Sequence, residues 1–302
     1  MRYVTIAEID SIIRWNLHKL PTGIDLIVGI PRSGMLPASI ISPMINAKLT
    51  DLDSFIRGYV YNVGRSGVDI IDRPYKNVLV IDDSIQSGRS MIEAKNKIKE
   101  IAPTSTITYC AVFASSKSVV HVDIYFEIID EERFFEWSFT RNHVLNNAFM
   151  DIDGVICVNP TKDDDGPIYS SFIANAHPLF LPQTHVNTII SCRLEKYREK
   201  TEEWLCRFNV DYNNLILLDL PDKKTRQAWG KPAQWKASYY KRSDASLFVE
   251  SSDRQARVIA AITKKPVLCI ETNALYESNT KRSLLRRVIR KTLRILKKIQ
   301  CA

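Results

Sequence analysis

The 302-residue chain has no apolar run long enough to cross a bilayer, which excludes a membrane-spanning helix. Cysteine is sparse. Its six positions (110, 157, 192, 206, 269 and 301) are scattered and form no C-x-x-C pair. That excludes a zinc ribbon and a disulfide frame, and it suits reduced thiols in a cytosolic protein. The opening segment MRYVTIAEIDSII carries acids among its apolar residues, which does not suit a secretory signal. Internal repeats and low-complexity linkers are also missing. So is surplus charge on most of the chain. The formal net charge is +8, yet nine basic residues and no acid lie from Lys281 onward, so the remainder is close to neutral. A near-neutral body argues against a general nucleic-acid-binding surface.

What is present is the composition of a globular protein, 45% apolar and 25% charged, at a length that admits two domains. Strand-like and helix-like segments alternate. IDLIVGI (24–30) reads as a buried strand, GMLPASIISPMI as a helix, NVLVID (77–82) as a second buried strand, and RSMIEAKNKIKEIA (89–102) as an amphipathic helix. TITYCAVFAS and VDIYFEII add strands. Strands separated by helices predict βαβ units and a parallel sheet. The pattern restarts at NAFMDIDGVICV (147–158) and continues through VNTIISC (186–192), NLILLDL (214–220), ASLFVES (245–251) and KPVLCIE (265–271). The expected organisation is therefore two doubly wound α/β domains, 1–147 and 148–277, with a short junction near 146–149 and a C-terminal segment, 278–302.

In VLVIDDSIQSGRS (78–90) a buried strand runs into two carboxylates, Asp82 and Asp83, and then into a small polar loop that opens a helix. Ligands of open parallel sheets sit beyond the carboxyl ends of strands. A loop of small residues at a helix N-terminus turns backbone N–H groups inward as an anion cradle. Asp82 and Asp83 cannot bind a phosphate, but they can accept hydrogen bonds from vicinal hydroxyls such as those of ribose. A plain acidic helix cap would explain the pair as well. The stretch resembles the phosphoribosyl pyrophosphate (PRPP) motif of type I phosphoribosyltransferases, with Ser87 where threonine is more usual. IVGIPRSGMLPA (27–38) resembles that family's pyrophosphate loop. The resemblance implies PRPP contacts from Arg32, Ser33, Gly34, Asp82, Asp83, Ser84, Gln86, Ser87, Gly88 and Ser90. It also implies a loop within 57–69 that closes over PRPP, with Arg57, Tyr61 and Arg65 as candidates there.

FMDIDGVIC (149–157) repeats the logic, an apolar strand ending in Asp-x-Asp-Gly. One carboxylate there can attack phosphorus and a second can protonate the leaving oxygen, if a cation shields the repulsion. A calcium-type or plain acidic loop is the bland alternative. The segment resembles the first motif of haloacid-dehalogenase-like phosphatases. That resemblance implies Asp151 and Asp153 as catalytic residues and Mg²⁺ as cofactor. By the same resemblance Ser191, Arg193 and Lys236 would hold phosphate, with Lys231 and Lys241 as rivals of Lys236. The metal ligands would be Asp151, Asp153, Glu250 and Asp253, with Glu250 standing where the family usually has Asp. Only residues 158–186 separate the first two motifs, so any cap is small and the pocket open.

On a helical wheel of KRSLLRRVIRKTLRILKKIQ (281–300), the apolar residues Leu284, Leu285, Val288, Ile289, Leu293, Ile295, Leu296 and Ile299 occupy one half. Arg286, Arg287, Arg290, Lys291, Arg294, Lys297 and Lys298 occupy the other. This pattern predicts an amphipathic helix lying on an anionic membrane surface, ahead of a helix docked on its own domain or a nucleic-acid contact. The combined order resembles bifunctional bacterial ribofuranosyltransferases. It implies transfer of 5-phosphoribose from PRPP to a lipid-linked glycan acceptor, and then removal of the 5-phosphate to leave a β-ribofuranosyl residue in a surface polysaccharide. The enzyme would sit at the inner face of the cell membrane. The alternatives are a nucleotide or cofactor enzyme with a fused phosphatase acting on a small product, and a PRPP-sensing regulator. The residues name no general base for the transfer.

Overall fold

The computed structural model describes residues 1–61, 68–70, 75–101, 104–160 and 165–277. The expected contact Arg65 and the C-terminal segment 278–302 lie outside the described residues. Two compact units emerge, Met1–Trp137 and a second beginning at Ser138. Residues 138–147, grouped with the first domain in the sequence reading, fall in the second unit, where His143–Asn147 packs on the adjoining strands.

The first unit contains β1 (Arg2–Val4), α1 (Ile6–Asn16), β2 (Leu26–Gly29), α2 (Met35–Ile45), β3 (Lys48–Asp51), α3 (Leu52–Ile56), β4 (Tyr59–Tyr61), β5 (Val68–Ile70), β6 (Asn77–Ile85), α4 (Arg89–Ile101), β7 (Thr106–Ala114), β8 (Ile124–Ile128) and β9 (Arg133–Phe135). Its main sheet has seven strands in the order β5-β4-β3-β2-β6-β7-β8, and β1 pairs with β9 separately. The apolar runs of the central strands follow from burial on both faces. Ile27, Leu79 and Ile81 pack with Ile9, Ile13 and Ile41, on α1 and α2. Leu26, Val28, Val78 and Val80 pack with Leu52, Phe55, Met91, Ala94 and Ile98, on α3 and α4. This alternation between two helical layers is the doubly wound arrangement.

The second unit contains β10 (Ala148–Met150), α5 (Gly166–Asn175), β11 (Val186–Leu194), α6 (Arg198–Arg207), β12 (Tyr212–Leu218), α7 (Lys223–Trp229), α8 (Pro232–Arg242), β13 (Leu247–Glu250), α9 (Asp253–Thr263), β14 (Val267–Cys269) and β15 (Ala274–Tyr276). Its six strands run β12-β11-β10-β13-β14-β15. Phe149, Ile190 and Phe248 pack with Ala237, Tyr240, Ala256 and Ile259, on α8 and α9. Tyr169 and Ile173 of α5 pack with Leu194 and Tyr197. Buried Trp204 of α6 donates its indole N–H to the Ala176 carbonyl at 2.9 Å.

The sheets are mixed rather than wholly parallel. The pairs β3–β4, β4–β5 and β14–β15 are antiparallel. The expected strand 77–82 runs on to Ile85, because β7 keeps pairing with it through Ser84 and Ile85. Asp83, expected just beyond the strand, therefore sits on it beside Asp82. No helix among the described residues is long and apolar enough to cross a membrane.

Leu79 lies fully buried at the centre of the first unit. Leu79→Ala is expected to destabilise the protein by about 2–5 kcal/mol, measured as a lowered urea midpoint by circular dichroism.

Candidate functional site

In the first unit the carboxyl ends of β2 and β6 bring the two motifs together. Ser33, in the turn between β2 and α2, donates its hydroxyl to Asp83 Oδ1 at 2.9 Å. The Asp83 backbone N–H is bonded to Asp82 Oδ1 at 2.9 Å. Burial pushes the Asp82 carboxyl up to about 8, and the neighbouring charge of Asp83 adds to the effect. Gly34 is buried and tightly enclosed: a Cβ there would lie 2.5 Å from the Ile30 carbonyl and 2.7 Å from that of Ile81. Only glycine lets this turn pass so close to β6. The Pro31–Arg32 peptide is cis, and Arg32 is exposed beside it.

The loop after β6 exposes Gln86 and Ser87, and the first turn of α4 exposes Ser90, with Ser84 half-buried on the strand. Gly88 takes a left-handed φ of +75°, and the His121 ring lies over it. Arg57 is exposed at the end of α3, and the Tyr61 hydroxyl is committed to Asp51. Two residues here escaped the sequence reading. Trp137 donates its indole N–H to Asp83 Oδ2 at 2.9 Å and stacks on Phe135 with ring centroids 4.7 Å apart. Arg133 bonds the Ser84 hydroxyl at 2.9 Å and the Ile85 carbonyl at 2.7 Å. The aromatic run RFFEW (133–137) was the available signal.

In the second unit the ends of β10, β11 and β13 and the helix α8 surround a cavity of about 360 Å³. Asp151 follows β10 directly, and Glu250 ends β13. Lys236 of α8 reaches both, at 2.7 Å from Asp151 Oδ2 and 2.8 Å from Glu250 Oε2. All three are buried. Lys231 and Lys241 are exposed and do not line the cavity. For Lys236, burial favours the neutral form, but Asp151 and Glu250 outweigh it and hold the ammonium above the ordinary lysine value. For Asp151, burial pushes the carboxyl up, Lys236 opposes and Glu250 reinforces, with a net rise.

Ser191 and Arg193 sit where the pairing of β11 with β12 shifts register, between Ile190 and Leu194. Irregular pairing of this kind re-aims side chains near sites. Ser191 lines the cavity and accepts the Arg193 backbone N–H at 3.2 Å. Buried Arg193 holds Asp153, with Nη2 2.7 Å from Oδ1 and Nε 3.1 Å from Oδ2. Cys157, which the sequence reading passed over, lies 3.2 Å from Arg193 Nη2. Asp253 is not brought to this group. Its carboxylate is held by Arg257 at 2.8 Å and by the Tyr276 hydroxyl, and it does not line the cavity.

No three His, Cys, Asp or Glu side chains among the described residues converge as a ready-made metal cage. Mg²⁺ is usually held by one or two carboxylates, with waters and a substrate phosphate completing the shell. Asp151 and Glu250, a buried carboxylate pair sharing one cation, fit that description.

Lys236→Met is expected to cost about 3–5 kcal/mol by leaving two buried carboxylates without their cation. The urea midpoint measures it. Asp151→Asn should cost less, because Glu250 keeps its partner.

Residues 4–143 match the family model described as a phosphoribosyl transferase domain. Among solved structures, a purine phosphoribosyltransferase from Pyrococcus horikoshii is similar at 22% identity. The match covers 45% of this chain and 92% of that one, with a TM-score of 0.35. A xanthine-guanine-hypoxanthine phosphoribosyltransferase from Helicobacter pylori is similar at 14% identity, covering 46% and 92%, with a TM-score of 0.36. With the carboxylates of β6 facing the turn after β2, residues 4–143, a little under half of the chain, carry the match to a phosphoribosyl transferase domain.

Proposed function

We propose that the chain is a bifunctional enzyme that transfers 5-phosphoribose from PRPP to a glycan hydroxyl and then hydrolyses the 5-phosphate. The observation that carries the second step is the buried Asp151–Lys236–Glu250 cluster, of which Asp151 and Lys236 line one cavity together with Ser191 and Asp153. An anion-binding site of this kind, on the same chain as a domain whose product retains a phosphate, suits removal of that phosphate.

In the transfer step, Asp83 would accept the ribose hydroxyls in place of Ser33 and Trp137. Arg32 and the N–H groups of residues 86–90, the loop after β6 and the start of α4, would hold the phosphates. As pyrophosphate leaves, the acceptor oxygen bonds to C1 from the opposite face and loses its proton to the departing pyrophosphate or to water, turning the α-configured donor into a β-ribofuranoside. In the second step Asp151 attacks phosphorus, and the bond from phosphorus to the ribose O5 breaks. Asp153, oriented by Arg193, supplies the proton to that oxygen. Water then attacks phosphorus, gives a proton back to Asp153 and releases phosphate. Ser191 and Lys236 would hold the phosphoryl oxygens throughout. Mg²⁺, which Asp151 and Glu250 would hold in the second unit, would supply charge neutralisation there.

The two activities should separate by mutation. Incubated with PRPP, Mg²⁺ and a synthetic glycan acceptor, the Asp151→Asn protein should accumulate acceptor heavier by a pentose phosphate. The Asp83→Asn protein should give no transfer while still dephosphorylating a pre-made phosphoribosylated acceptor. Mass spectrometry reads both. Fully dephosphorylated product at the normal rate from Asp151→Asn sinks the assignment of the second unit, and transfer to a nucleobase alone sinks the glycan acceptor.

The basic amphipathic segment 281–300, outside the described residues, would tether the enzyme to the anionic leaflet that carries a lipid-linked acceptor. Each basic residue near such a leaflet contributes roughly 1 kcal/mol, less in salt. Truncation after Tyr276 is expected to abolish co-sedimentation with phosphatidylserine-containing vesicles and to leave turnover of a short soluble acceptor within about twofold. Vesicle binding that survives truncation refutes the tether.

A further inference from the structure

The cavity of the second unit has a side that the phosphoryl chemistry does not use. Gln255, in the first turn of α9, lines it, and its Oε1 is shielded from solvent with no hydrogen-bond partner among the described residues. A buried acceptor without a donor is costly and calls for an explanation. The dianion of a phosphate monoester cannot supply one, because all of its oxygens are acceptors. Around the same cavity stand Trp229, the last residue of α7, and the amide side chains of Asn159 and Gln227. Asn159 packs tightly over the Asp-x-Asp-Gly turn. Gly154 there has φ +78°, and a Cβ on it would lie 2.6 Å from Asn159 Nδ2.

Amides, which both donate and accept, match hydroxyls, which do the same. An indole offers an apolar face to the C–H side of a sugar ring. The lining beside the phosphoryl site thus has the chemistry of a sugar site.

We propose that Gln255 is a specificity residue of the second unit: its Oε1 accepts a hydrogen bond from the C2 or C3 hydroxyl of the ribofuranose 5-phosphate, while Trp229 covers the ring. This deepens the phosphatase reading and rests on it. The missing donor for Oε1 is then the substrate's own hydroxyl. Phosphate esters without it leave the acceptor buried and unpaired, so they are turned over more slowly.

The test uses the full chain with Mg²⁺ and four esters: methyl β-D-ribofuranoside 5-phosphate, its 2-deoxy and 3-deoxy analogues, and p-nitrophenyl phosphate. Wild-type protein should prefer the full ribofuranoside over one deoxy analogue by tenfold or more in kcat/KM. In Gln255→Leu that ratio should fall to within twofold of unity, because neither substrate then finds an acceptor. Gln255→Met, of similar length, is the second variant should the first fail to melt cooperatively, and it is read in the same way. A preference that persists in the folded variant overturns the proposal. Wild-type protein that hydrolyses p-nitrophenyl phosphate but treats the three furanosides alike overturns the subsite and leaves the phosphatase reading standing. Wild-type protein inert toward all four esters overturns that reading, and the subsite with it.

Discussion

A carboxylate held at the inner end of a buried strand needs donors, and the kind of donor separates the two halves of this chain. Removing an ionised group from water without partners is costly. Asp83 meets the requirement with neutral donors, the Ser33 hydroxyl and the Trp137 indole N–H. Substrate hydroxyls can replace such donors without any change of charge at the site. Asp151 and Glu250 instead share an ammonium, that of Lys236. That cation is buried with them and lines the cavity together with Asp151. The partners of the buried acids thus differ between the two units, although the local pattern of strand, acid and turn is the same.

The sheets explain why these groups converge. In each unit the central strands are parallel, so their carboxyl ends lie on one edge, and residues far apart in sequence meet there. Asp83 and Ser33 come from β6 and the turn after β2, and Asp151 and Glu250 from the ends of β10 and β13, with Lys236 on the helix before β13. Local irregularity then does the aiming. The register shift in β11 covers the segment that carries Ser191 and Arg193. The tight turn at Gly34 lets the loop after β2 approach the Ile81 carbonyl.

What was legible in the sequence follows the same division. Buried strands that end in acids announce themselves through unbroken apolar runs, so both constellations and the α/β alternation could be read from one chain. The short strands β1, β3, β4, β5, β9 and β15 mix polar and apolar residues over three or four positions and carry no usable period, so the antiparallel extensions were missed. Partners across space were beyond reach as well. Nothing local to Asp153 says that Arg193 will hold it, and nothing near Asp83 points to Trp137. These pairings exist only once β11 lies beside β10 and once the chain has returned past β9.

Glu250 shows how the structure separates two acids between which the sequence leaves a choice. The sequence presents it as a Glu where an Asp is usual, with Asp253 nearby as a possible substitute. In the fold, Glu250 extends one oxygen to Lys236 at 2.8 Å, and its other oxygen accepts from the Ser251 hydroxyl at 3.3 Å and the Ser252 backbone N–H at 3.2 Å. The longer side chain thus spans from the lysine to the turn that opens α9. Asp253 is meanwhile drawn off by Arg257 and Tyr276 on the outer side of that helix. The extra methylene lets one carboxylate both neutralise the buried lysine and fix the start of α9, the helix whose first turn carries Gln255 to the cavity wall.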